Sequence, residues 1–109
     1  MSEDLHIFAR LFAIVKSRRK GDPATSYTAK LFARGVPKIA QKVGEEATEL
    51  VIEAVRGDKI KIREESADLL YHLLVLWAAS GITPDQVGKV LEKRLGQSGI
   101  AEKAGRGKR

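Results

Sequence analysis

Residues 69–77 read Leu-Leu-Tyr-His-Leu-Leu-Val-Leu-Trp, a run in which only His72 interrupts apolar and aromatic side chains. Wound into a helix, this run has almost no polar face, and a helix apolar all round has to be covered by other elements. It is too short to cross a bilayer, which takes about 18 or more apolar residues. The chain must therefore surround it with further helices.

The punctuation of the sequence supplies them. Ser2 followed by Glu3 and Asp4 reads as a helix start, and Leu5, Phe8, Leu11, Phe12 and Val15 continue at helical spacing to about Lys16. A loop follows through Gly21, Asp22 and Pro23, and Ser26 or Thr28 then caps a short helix that stops at Gly35. Pro37 suits the first turn of a long helix with Ile39, Val43, Ala47, Leu50, Val51 and Ala54 on one face, ended by Gly57. Gly44, inside it, is expected to mark close helix packing, the alternative being room for a ligand beside Glu45. Asp58 caps the next helix, which runs to Ser80 with Gly81 as terminator, and Thr83-Pro84-Asp85 opens a last one carrying Val87, Val90, Leu91 and Leu95.

The expected fold is all-α: an antiparallel helical hairpin with flanking helices, in one domain over residues 1–95. Residues 96–109, rich in glycine and charge, are expected to form a flexible basic tail. A chain of 109 residues buries only roughly 65% of its unfolded surface. Wide apolar stripes on so small a core predict a homodimer that completes a helical bundle.

Cysteine is absent, which excludes disulfides, thiolate zinc sites and cysteine nucleophiles. No secretory leader is legible and no apolar run is long enough to span a membrane, so a cytoplasmic location with no membrane partner is expected. The net charge of +6 gathers in Lys16, Arg18, Arg19 and Lys20 and in Lys103, Arg106, Lys108 and Arg109. Aromatic residues do not interleave with either group, which argues against nucleic acid as a partner and for a small, phosphate-rich ligand.

Against that basic background stand two acidic clusters, Glu45-Glu46-Ala-Thr-Glu49 and Glu65-Ser-Ala-Asp68. Glu45, Glu46, Glu49 and Glu53 share one arc of their helix, and Asp68 and His72 lie four residues apart in a helix expected to be buried. A strip of acids is ordinarily a solvated face, but a buried carboxylate needs a cation, an arginine or a metal. The short Arg56-Gly57-Asp58 connection makes the two helices antiparallel, and the clusters then reach similar heights and can share a cation. Oxygen ligands without cysteine favour magnesium or manganese. Leu69, three residues before His72, rules out the Glu-x-x-His pairs of a di-iron bundle. His72 itself reads as a core histidine donating to Asp68 or to a partner chain.

Glu-Glu-x-x-Glu followed, after the 15 residues 50–64, by Glu-x-x-Asp resembles the signature of the all-α, MazG-like nucleoside triphosphate pyrophosphatases. Ser26-Tyr27-Thr28-Ala29-Lys30-Leu31, Lys42-Val43-Gly44-Glu45-Glu46-Ala47 and Ala67-Asp68-Leu69-Leu70-Tyr71-His72 are similar to the phosphoribosyl-ATP pyrophosphatases within it. The likeness covers about residues 5–94. It implies magnesium-dependent hydrolysis of 1-(5-phosphoribosyl)-ATP to the AMP compound and pyrophosphate, a step of histidine biosynthesis. The zinc-dependent cyclohydrolase that some relatives carry is not in this sequence, so only the pyrophosphatase step is implied.

Carried over by residue, the resemblance makes Glu46, Glu49, Glu65 and Asp68 metal ligands and Glu45 the group that orients or deprotonates the attacking water. Phosphoanhydride hydrolysis needs no covalent nucleophile, only cations for the developing charge and a carboxylate to position water. Arg18, Arg19, Lys30, Lys38 and Lys42 are available for the substrate's phosphates, although Lys42 is equally placed to pair with Glu45 or Glu46. Tyr71 and Trp77 are expected in the core or dimer seam; Tyr27 is as well suited to stack on adenine as to pack. The nearest rival is a house-cleaning enzyme acting on free nucleotides, against which the 26–31 segment decides. A non-catalytic, nucleic-acid-binding dimer would leave the paired acids unexplained.

Overall fold

The computed structural model describes residues 6–96. The expected cap at Ser2 and the tail beyond Gly96 lie outside the described residues. Within them the fold is all-α: α1 (His6–Ser17), α2 (Tyr27–Arg34), α3 (Val36–Arg56), α4 (Lys59–Ala79) and α5 (Pro84–Leu95). No helix among the described residues is long and apolar enough to cross a membrane.

The helix ends follow from local chemistry. The Ser26 hydroxyl, rather than Thr28, caps α2 by accepting from the Ala29 amide at 3.1 Å. Gly35 closes α2 and, at φ 89°, turns the chain straight into α3, with Pro37 in the first turn where a missing N–H costs nothing. At the hairpin bend Gly57 adopts φ 78° and its amide bonds back to Glu53 and Ala54, while the Asp58 carboxylate accepts from the Lys61 amide and starts α4. Thr83 caps α5 in a full capping box, with the Gln86 side chain reaching back to the Thr83 amide.

The antiparallel pair α3 and α4 makes the principal interhelical contact; α1 packs on α4, and α2 on both. The core sits at one end of this hairpin. Ile39 at the start of α3 and Val75 near the end of α4 are wholly buried, and Phe12, Val15, Leu31, Leu74 and Ala78 close around them. Tyr71 and Trp77, half-buried, pack against this cluster, as expected of them. The other end of the hairpin is thinly covered, with Val51, Ile52, Val55 and Ile60 exposed.

Two expectations change. The apolar run of α4 is not enclosed within one chain: Leu69 and Leu73 are half-buried, Leu70 is exposed, and so is Asp68. Among the described residues α1, α2 and α3 make the main contacts with α4, and the residues they bury lie in its C-terminal half. Gly44 does not mark close packing either, since a Cβ built there meets nothing within 4 Å. Open space surrounds it.

The two glycines therefore have opposite consequences. Gly57→Ala places an L side chain in the left-handed region and is expected to lower stability by about 1 kcal/mol. Gly44→Ala, in ordinary helix geometry with nothing to clash against, is expected to raise it by about 0.5–1 kcal/mol. Urea denaturation of the two variants checks both signs.

Candidate active site

Helical phase on α3 and antiparallel pairing with α4 bring Glu46 and Glu49 opposite Glu65, and one carboxylate oxygen from each lies within 4.8 Å of the others. Glu46 is buried, with 9% of its surface exposed, and Oε2 of Glu65 is out of water with no hydrogen-bond partner. The Glu65 carboxyl is pushed up to about 7. Its burial is the largest cause, followed by the hydrogen bond and charge of Glu49 and the charges of Asp68 and Glu46. Three converging carboxylates, one with an orphaned oxygen, form a donor set that fits a hard divalent cation.

The remaining acids lie around this centre. Asp68 is near enough for its charge to act on Glu65 but is exposed and stands outside the three-carboxylate group. Glu53 turns away to Arg56, at 3.8 Å. Glu45 faces elsewhere, accepting from Gln41 at 2.7 Å and from Lys42 at 3.2 Å. Those two contacts hold its carboxyl below the usual range, so it is ionised at neutral pH. Lys42 also reaches Glu46, at 3.9 Å, and stands between Glu45 and the acidic group.

Beside Glu45 opens a cleft of about 180 Å³ lined by Tyr27, Lys30, Arg34, Lys38 and Lys42. Three of the expected phosphate-binding residues thus meet in one place, and Arg34 joins them. The sequence carried a signal for Arg34 that went unread: Lys30, Arg34, Lys38 and Lys42 recur every four residues, on one helical face each of α2 and α3. The break at Gly35 hid the continuity. Arg18 and Arg19 do not line this cleft. Arg19 donates to the Ala78 carbonyl at 2.7 Å and lies over the Phe32 ring, 5.6 Å from its centroid, which ties the loop after α1 to the C-terminal end of α4.

His72 connects the two regions. One ring nitrogen, Nδ1, lies 2.8 Å from the backbone carbonyl of Asp68, and Nε2 lies 3.0 Å from the Tyr27 hydroxyl. Facing a carbonyl, Nδ1 donates, and Nε2 bonds the tyrosine hydroxyl; this is the core histidine anticipated, bonded to the Asp68 main chain rather than its carboxylate. Tyr71 lies edge-on to His72, bonds the Thr28 hydroxyl and has its phenol pushed up by burial. Tyr27 is half exposed, one side anchored and the other facing the cleft.

The raised Glu65 carboxyl sets a pH dependence for the metal-free protein. Its folded-state value of about 7 exceeds the ordinary 4.5, so the fold favours the protonated form. That contribution is complete below pH 4.5 and is lost as pH rises through about 7. Thermal melts in chelator should show Tm falling over this window, and Glu65→Gln should flatten the fall. Magnesium added above pH 7 should restore the wild type.

The sequence was also compared with known proteins. A family model described as phosphoribosyl-ATP pyrophosphohydrolase matches residues 8–95. A phosphoribosyl-ATP pyrophosphatase of Azospirillum brasilense is 63% identical over 100 residues, covering 92% of this chain and 90% of that protein. One from Cereibacter sphaeroides is 58% identical over 101 residues, covering 93% and 98%. One from Parvibaculum lavamentivorans is 54% identical over 109 residues and covers both chains completely. All-helical, with its acidic group and basic cleft inside the matched span, the chain belongs to the phosphoribosyl-ATP pyrophosphohydrolase family of enzymes.

Proposed function

We propose that this protein hydrolyses 1-(5-phosphoribosyl)-ATP to 1-(5-phosphoribosyl)-AMP and pyrophosphate, in the cytoplasmic pathway of histidine biosynthesis. The observation that carries the reading is the juxtaposition of a carboxylate group requiring a cation with a cleft of cations requiring an anion, in a chain of this family.

Glu46, Glu49 and Glu65 would hold magnesium, or manganese, and Asp68, exposed beside them, would join as a further ligand. The ion, when bound, neutralises charge developing on the phosphoanhydride oxygens. Glu45, ionised and held by Gln41 and Lys42, accepts a hydrogen bond from the attacking water and aligns it. Its lowered carboxyl suits orientation better than proton abstraction. Lys42, bonded to Glu45 and close to Glu46, keeps the water-orienting group in register with the ligands. Lys30, Arg34 and Lys38 bind phosphate.

We further propose that the working form is a homodimer. The half-covered apolar run of α4, the exposed Val51, Ile52, Val55 and Ile60, and an uncovered apolar groove between α1 and α4 lined by Ile7, Phe8, Leu11 and Leu70 all favour a second copy. Sedimentation at micromolar concentration is expected to give the dimer mass; a monomer would refute this part.

Activity is tested by incubating the protein and magnesium with phosphoribosyl-ATP or with a panel of ordinary nucleoside triphosphates and measuring pyrophosphate. Release from phosphoribosyl-ATP is expected, and turnover of the panel alone would identify a house-cleaning enzyme instead. Glu49→Gln is expected to reduce kcat by roughly a hundredfold or more with helical content unchanged.

A further inference from the structure

We propose that Lys30, Arg34 and Lys38 form a phosphate-monoester subsite that grips the phosphoribosyl arm of the substrate and so selects it over nucleoside triphosphates lacking that arm. The inference rests on the hydrolytic reading above and assigns one end of the substrate to one place on the chain.

Charge provides the first reason. Lys42 is neutralised by Glu45 and Glu46, at 3.2 and 3.9 Å. Among the described residues no carboxylate lies within 4.0 Å of Lys30, Arg34 or Lys38. Glu45 also lines the cleft, but it is bonded to Gln41 and Lys42, so the cations of the cleft outnumber its one carboxylate and a bound anion lowers their mutual repulsion. The chemistry of the donors narrows the anion: a guanidinium fork flanked by two ammonium groups matches the oxygens of a phosphate dianion.

Position provides the second. Lys38 precedes Glu46 by eight residues and Glu49 by eleven on the same helix, which is about 12 and 16 Å along its axis. Lys30 and Arg34, on α2, line the same cleft as Lys38. A triphosphate sharing a cation with Glu46, Glu49 and Glu65 has its charge at the acidic end. The cleft cations then require a second phosphate, well separated from the first. An ordinary nucleoside triphosphate has none, whereas phosphoribosyl-ATP carries a phosphate monoester on the ribose attached across the purine from the triphosphate arm. Tyr27, held by His72 at 3.0 Å, forms a fixed wall of the cleft and limits how the arm enters.

Calorimetric titration of the full chain with 1-(5-phosphoribosyl)-AMP and with AMP tests the assignment without turnover. The wild type is expected to bind the phosphoribosyl compound about tenfold more tightly or better, and Arg34→Gln to bring the two ligands within about twofold. Lys38→Gln serves as an independent second variant, and circular dichroism checks that both fold. Equal affinity of the wild type for the two ligands, or a preference that survives in both variants, overturns the subsite. So does a loss of magnesium-dependent pyrophosphate binding in the variants as large as the loss of the phosphoribosyl compound, since the cleft would then serve the triphosphate arm. Failure of the wild type to release pyrophosphate from phosphoribosyl-ATP would count against the hydrolytic reading instead, because the preference is measured on product.

Discussion

The packing of Ile39 against Val75, with Leu31, Leu74 and Ala78 around them, holds the first turns of α3 to the last turns of α4. Everything polar in the molecule depends on it. Burying each such side chain is worth about 1.5–3 kcal/mol, and the cluster fixes the register of the hairpin from one end while Gly57 and Asp58 fix it from the other. Between those anchors the chain brings Glu46, Glu49 and Glu65 together against their mutual repulsion. The repulsion is answered locally, by a proton on Glu65 or by a cation. The Glu65 carboxyl, raised to about 7, registers the burial and the neighbouring carboxylates that disfavour its charge.

The helices were legible because their ends are chemically explicit: Ser26, Gly35, Gly57, Asp58 and Thr83 each act where their side chain or lack of one requires. Periodicity placed Glu45, Glu46, Glu49 and Glu53 on one arc and the hairpin set Glu65 and Asp68 across from it; of these, Glu46, Glu49 and Glu65 come together. What the one-dimensional pattern did not contain was the number of neighbours available to cover each face. The run through Trp77 called for burial on every side, yet among the described residues three helices make the main contacts with α4, and Leu70 and Asp68 are left exposed. Gly44 failed for the same reason, since a glycine's purpose depends on what lies across from it.

The basic residues divide in a way that composition hid. Arg18 and Arg19 were grouped with the lysines as ligands for phosphate, but Arg19 is committed to the Ala78 carbonyl and the Phe32 ring. Arginine beside a helix C-terminus and an aromatic face serves the fold. Arg34, overlooked because Gly35 splits the four-residue repeat, stands with the lysines in the cleft. Residue type alone could not separate these placements; the position of each residue in the fold does.

The distance along α3 between Lys38 and the acidic group has a kinetic meaning. A ligand gripped at both ends gains from linkage, because once one end is bound the other is presented at high effective concentration. Hydrolysis of the proposed substrate cuts it between those two attachments. Under that proposal each product would keep one grip and lose the avidity of the pair, so a site that retains the intact molecule would also let go of its fragments.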